Sequence, residues 1–177
     1  MAGYLVYRAT GAYKRPDNRP VLVLCLLMAV VADLDFLPGV YYGHPLLYHE
    51  GISHSLGFAV GGGLVAATLY GIKTGRMFLN NWGLFFLAYA THPIMDLFQP
   101  HKRPPYGIPF FWPVNDGPYL FPSPVFWGFH HASGPSDSTA EWVSGMIDFY
   151  NVGAVGIEIL VVLPMILAVR WLQANKI

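Results

Sequence analysis

Seven histidines and a small set of carboxylates carry most of the chemistry available to this sequence. In "THPIMD", His92 and Asp96 are spaced i and i+4, which puts both side chains on one helical face. "DLD" supplies Asp33 and Asp35, and "HEGISH" supplies His49, Glu50 and His54. Imidazoles and carboxylates gathered in one cluster suit zinc or another first-row divalent ion, and a carboxylate-rich set tilts toward manganese or magnesium. The electrostatics point the same way. A helix C-terminus carries about half a negative charge, which disfavours acidic side chains. Yet Asp33 and Asp35 close one apolar run and Asp96 closes another. A cation among them would relieve that repulsion.

Each piece also has a plainer reading. His92 and Asp96 alone can staple a helix end. Residues i and i+2 of a helix point nearly opposite ways, so Asp33 and Asp35 share a site only if the helix unwinds before Pro38; otherwise one ligates and the other supports. His54 can cap a helix, His44 reads as a loop residue beside Pro45, and His130 and His131 read as polar loop residues. Asp148 shares a helical face with Glu141, whereas Glu158 is expected to lie too deep for the same site.

Membrane helices must position these groups. Only 11% of the chain is charged and 54% is apolar, against roughly 25% charged in soluble domains. Crossing a bilayer takes about 20 mostly apolar residues, and four stretches approach this. They begin at Pro20, Gly51, Met77 and Glu141, and each is polar at one end. The expected fold is therefore all-α: a polytopic four-helix bundle forming one domain over residues 1–177. A long Pro- and aromatic-rich segment, 99–139, joins helices 3 and 4 and is too long for an idle connection. A cleaved leader ending at Ala32 and a soluble helical protein are the rival readings. The first would remove one of four spans, and the second ignores runs long enough to cross.

Eight Lys and Arg residues (Arg8, Lys14, Arg15, Arg19, Lys73, Arg76, Arg170 and Lys176) fall on one side of four spans, and two (Lys102 and Arg103) on the other. The positive-inside rule then makes both termini cytoplasmic, in a multi-pass cell-membrane protein. All seven histidines fall on the opposite, exoplasmic face. Net charge is zero, with no basic stripe for nucleic acid. The single cysteine, Cys25, allows no internal disulfide and reads as packing. "HEGISH" is not the H-E-x-x-H of zinc peptidases, since its histidines stand five apart.

Three motifs in order, "DLDFLPG", "HEGISHSLGF" and "THPIMDLFQP…YGIPFFWPV", resemble the family of membrane-bound metal-dependent hydrolases typified by the bacterial YdjM protein. That family shows a D-x-D, an H-R-G-x-T-H-S block, and an H-x-x-x-D before a P-x-G-x-P-x-x-W-P stretch. The resemblance covers about residues 20–145. It implies a distant relation to zinc-dependent phospholipase C and P1 nuclease, and so a phosphoester substrate, lipid or lipid-linked. The family's ligands map best onto Asp35, His49, His92 and Asp96. His54 and Asp33 then complete a second site or orient ligands. Glu50 stands where the family carries Arg, Ser53 where it carries Thr, and the family's N-terminal histidine has no counterpart before His44.

On that resemblance the expected activity is hydrolysis by metal-activated water, zinc first, with Asp33, Glu50 or Glu141 accepting the proton. Lys102 and Arg103 suit a phosphate, and their alternative role is interfacial snorkelling. A divalent-ion transporter would want ionisable groups staggered through the midplane. A purely structural metal would show a closed ligand shell.

Overall fold

The computed structural model describes residues 1–76, 78–101, 104–130 and 139–175. Among them are seven α-helices and no strand, with one isolated bridge between Ile108 and Tyr119. The helices are α1 (Ala2–Ala9), α2 (Asn18–Met28), α3 (Phe36–Tyr41), α4 (Leu56–Thr74), α5 (Phe78–Asp96), α6 (Thr139–Met146) and α7 (Phe149–Ala174).

The antiparallel pair α4 and α5 is the spine. Ser55 starts α4, its hydroxyl accepting from the Phe58 N–H, which satisfies one of the donors a helix start leaves unpaired. Gly75, at φ 64°, ends it in the left-handed conformation that glycine adopts freely. Between the two helices Gly63 is indispensable: a Cβ there would stand 2.8 Å from the Phe86 backbone nitrogen. Small residues at such a crossing let membrane helices approach closely.

Around this spine pack α1 and α2, with Val21, Cys25, Phe85 and Ala88 fully buried. Cys25 is indeed packing. The short α1, which the sequence placed in a cytoplasmic tail, instead folds into the bundle against α2, α5 and α7. A Cβ at Gly3 would lie against the Cys25 carbonyl oxygen. At the far end of α1, Arg8 donates to the Gln173 amide oxygen (2.8 Å), and Gln173 returns a bond to the Arg8 carbonyl (2.6 Å), tying down the end of α7.

The first apolar run is not one helix. After α2 the chain tightens into a 3-10 turn, Val31–Asp35, and re-forms as α3 across a 53° bend. This is the unwinding before Pro38 that the two aspartates required. The last run is also broken. It divides at Ile147 and Asp148, so that the long helix begins at Phe149 with Asp148 as its cap. Among the described residues two helices, α4 and α7, are long and apolar enough to cross a membrane, and a third crossing exists if the bent pair counts as one span. Helix α5 matches α4 in length, but Asn80, Asn81, His92 and Asp96 lower its hydropathy below that level.

The segment between α5 and α6 has no helix among its described residues and caps both spine helices. The Phe110 and Trp112 carbonyls accept from the N–H groups of Leu56 and Gly57, at the start of α4. The Leu97 and Phe98 carbonyls, at the end of α5, accept from Phe121, Val125 and Phe126. Both are places where a helix leaves backbone groups unpaired.

Candidate metal centre

Three helix ends meet here. The 3-10 turn after α2 presents Asp33 and Asp35, the turn Ile52–His54 ahead of α4 presents His54, and the last turn of α5 presents His92 and Asp96. The ring centroids of His49 and His54 are 5.3 Å apart, and those of His54 and His92 5.1 Å. Two overlapping ligand groups result, Asp33–His49–His54 and His54–His92–Asp96, each with its donor atoms within 4.8 Å of one another.

The tautomers say what belongs among them. His92 Nδ1 lies 3.0 Å from the Ala29 carbonyl, which can only accept, so Nδ1 carries the proton. In a neutral ring Nε2 is then a lone pair, yet it faces Asp33 Oδ1 at 3.1 Å and Asp96 Oδ2 at 3.6 Å. His54 repeats the arrangement. Its side chain is 1% exposed, and Nδ1 lies 2.7 Å from Asp96 Oδ2. Its buried Nε2 has no hydrogen-bond partner and looks toward Asp35 Oδ2 at 3.3 Å and Asp33 Oδ1 at 4.0 Å. Two lone pairs aimed at carboxylates repel unless a proton or a metal cation sits between them. A metal-ligating histidine characteristically donates its other N–H to a carboxylate or carbonyl, as both rings do. The donor set therefore fits a divalent ion.

The two aspartates of "DLD" divide the work. Asp33 reaches into both histidine sets and belongs to a ligand group. Asp35 accepts from the Ser53 hydroxyl at 2.6 Å and from His49 Nδ1 at 2.9 Å, the contacts of a residue that orients a ligand. Tyr89, from α5, donates to the Ser53 carbonyl and steadies that turn. The resemblance maps Asp35 as a ligand and leaves Asp33 to complete a second site, orient ligands or accept the proton; in space Asp33 joins a ligand group with His49 and His54, and Asp35 Oδ2 also lies 3.3 Å from His54 Nε2.

Glu50 is committed elsewhere, to His101 Nδ1 at 3.0 Å, while His101 Nε2 donates to the Asp96 carbonyl. With both ring nitrogens facing acceptors, His101 is held as the cation. Burial opposes the charge on each partner, but their mutual hydrogen bond outweighs it, lowering the Glu50 pKa and raising that of His101. The missing N-terminal histidine of the family made His101 one candidate substitute ligand; its ring is instead taken up by Glu50 and the Asp96 carbonyl.

Glu141 lies in the first turn of α6 and in neither ligand group. Its neighbour Trp142 packs on Phe36, next to Asp35. His130 stacks on Tyr150 at 3.7 Å and faces Asp148, which caps α7. Those two order the start of α7. His44 is an exposed loop residue, as expected. Lys102, Arg103, His131 and Asp137 lie outside the described residues. A cavity of about 820 Å³, lined by Arg15, Arg76 and Asn80, opens at the other end of α5, with no described histidine in its lining.

A family model described as YdjM inner membrane protein matches residues 1–177. No curated protein and no solved structure matches the chain. That match and the apolar helices α4 and α7 make this a membrane protein.

Proposed function

The chain belongs to the YdjM inner membrane protein family, and from that premise we propose that it is a metal-dependent hydrolase of a lipid or lipid-linked phosphoester. The observation that carries the reading is the pair His54 and His92, each with Nδ1 engaged by an acceptor and Nε2 turned toward carboxylates. Asp33, His49, His54, His92 and Asp96 would hold the ion, zinc before manganese or magnesium on this nitrogen-and-oxygen set. Asp35 and Ser53 keep His49 in place. When bound, such an ion lowers the pKa of a coordinated water to near 7 and polarises the scissile group. Lys102 and Arg103, just past α5, are the cations suited to the phosphate.

In this reading α5 completes a four-span bundle, its polar residues shielded by α4, and both termini are cytoplasmic. The site then opens at the exoplasmic face, under the aromatic segment 106–129. A centre at that depth meets headgroup phosphoesters before it meets soluble ones.

The test is elemental analysis of detergent-purified protein beside His92→Ala and Asp96→Ala. Wild type should carry a divalent metal and both variants should lose it. Hydrolysis of phospholipid vesicles should stop on adding chelator and return with zinc. Equal metal content in all three proteins ends the proposal. Metal without hydrolysis, but with ion flux in liposomes, would make it a transporter.

A further inference from the structure

Helix α7 buries Asn151, Ala154, Val162 and Ile166. At steps of three, four and eight residues those positions are one helical stripe, and Glu158, i+4 from Ala154 and i−4 from Val162, lies on it. An acid on the inward stripe of a membrane-spanning helix is a functional candidate by position alone. Its depth follows from the packing. Trp127 stacks on Tyr150 and lies against Gly153, and its neighbours Val125 and Phe126 bond the Phe98 carbonyl. Gly153 is thus level with the turn after α5. At the other end Gln173 is tied to Arg8, whose guanidinium lies over Tyr13, two residues before the Arg15 that donates to Asn81 near the start of α5, so α7 runs antiparallel to α5. Glu158 is five residues past Gly153, about 7.5 Å at the helical rise of 1.5 Å per residue. That is the level of the His92–Asp96 turn. Within electrostatic range of it are the Met1 amino group, His92, Asp96 and Asp33.

Every other carboxylate nearby is occupied. Asp33 and Asp96 face the histidines, Asp35 accepts from Ser53 and His49, and Glu50 holds His101. Among the described residues Glu158 meets no hydrogen-bond or ion-pair partner.

We propose that Glu158 is the proton acceptor of this centre. As the attacking water's oxygen bonds to phosphorus, its proton passes to the Glu158 carboxylate, directly or through one further water. As the ester P–O bond breaks, Glu158 returns the proton to the departing alcohol oxygen. The inference rests on the hydrolase reading and adds a residue from the fourth apolar stretch to a site otherwise built from the first three.

The experiment uses full-length protein in detergent, stripped with chelator and reloaded with cobalt(II), as wild type, Glu158→Gln, Glu158→Asp and the ligand control His92→Ala. Glu158→Gln should bind cobalt with wild-type stoichiometry and visible spectrum, which His92→Ala should not. Losing a negative charge near the centre should move the alkaline transition of the cobalt band about one pH unit lower. Hydrolysis of bis(p-nitrophenyl) phosphate should fall by roughly 10²–10⁴-fold, the usual worth of a general base, and Glu158→Asp should recover part of it. An unmoved transition in Glu158→Gln overturns the assignment and leaves the hydrolase reading standing. If Glu158→Gln fails to assemble, Glu158→Asp decides: wild-type rate and transition overturn the proposal. Wild type without cobalt, or hydrolysis that survives chelation, removes the hydrolase reading itself.

Discussion

Exchanging the two aspartates of "DLD" for asparagine, one at a time, tests the proposed division between Asp33 as ligand and Asp35 as its support. Asparagine keeps the shape of the side chain and removes the charge. Asp35 contacts its surroundings through Ser53 at 2.6 Å and His49 at 2.9 Å. An amide oxygen still accepts one of these, while its NH₂ confronts the other donor. The consequence is a loosened His49, and loss of such an outer partner weakens metal binding about 10–100-fold. That is about 1.4–2.8 kcal/mol at 1.4 kcal/mol per factor of ten. Asp33→Asn acts on the ligand atoms themselves. Its Oδ1 lies 3.1 Å from His92 Nε2 and 4.0 Å from His54 Nε2, so one oxygen serves both histidine sets. Its loss should cost at least about another factor of ten beyond Asp35→Asn. Zinc affinity measured against a competing chromophoric chelator, in detergent and at fixed pH, gives both numbers. If Asp35→Asn strips the metal while Asp33→Asn binds within a few-fold of wild type, the geometry has been misread and the roles are reversed.

Metal loading should also release protons, because His54 and His92 must give up their Nε2 protons to ligate. Calorimetry in buffers of different ionisation heat should find about two per ion near neutral pH, and release of none would show rings already neutral without metal. Gly63→Ala, which sets a Cβ against the Phe86 backbone, should destabilise the fold by about 1–3 kcal/mol. Gly61→Ala, on the same helix with nothing within 4 Å, should be neutral or stabilising by up to about 1 kcal/mol. Thermal melts in detergent compare the two, and equal effects would discount the close approach. The Glu50–His101 pair predicts a pH window for the metal-free protein. Raised above 6.5, His101 contributes fully below that value and loses its effect as pH climbs through its folded pKa. Lowered below 4.5, Glu50 contributes above that value and loses its effect as pH falls through its own. The melting difference between wild type and His101→Gln should therefore peak between pH 4.5 and 6.5. A peak above pH 8 would contradict the pairing.

Local spacing made much of the centre legible. The i, i+4 step of His92 and Asp96, and the clustering of polar residues at one end of each apolar run, follow from helical periodicity, and the structure brings those ends together. Which aspartate of the first motif turns inward was not legible, because it depends on the phase of the 3-10 turn rather than on an α-helical period. The place of α1 was hidden too. Eight residues are too few to register as a span, and what buries them is the contact of Gly3 with Cys25, 22 positions away.

Glu158 shows the limit most clearly. Counted from Glu141 along one unbroken helix, it lies 17 residues down, about 25 Å from the polar end, out of reach of the centre. The chain breaks at Ile147 and Asp148, and helix α7 starts at Phe149, where Asp148 accepts from the Tyr150 N–H. Counted from there, Glu158 is nine residues in, about 14 Å, at the height of the histidines. Asp148 forms the cap through its side chain, and Asn151 holds the break by donating to the Gly145 and Met146 carbonyls. Periodicity says which face a residue occupies, but only helix ends say at what depth. Where the polar side chains of several helices gather in one layer, two capping residues therefore decide which carboxylate of the last helix lies level with them.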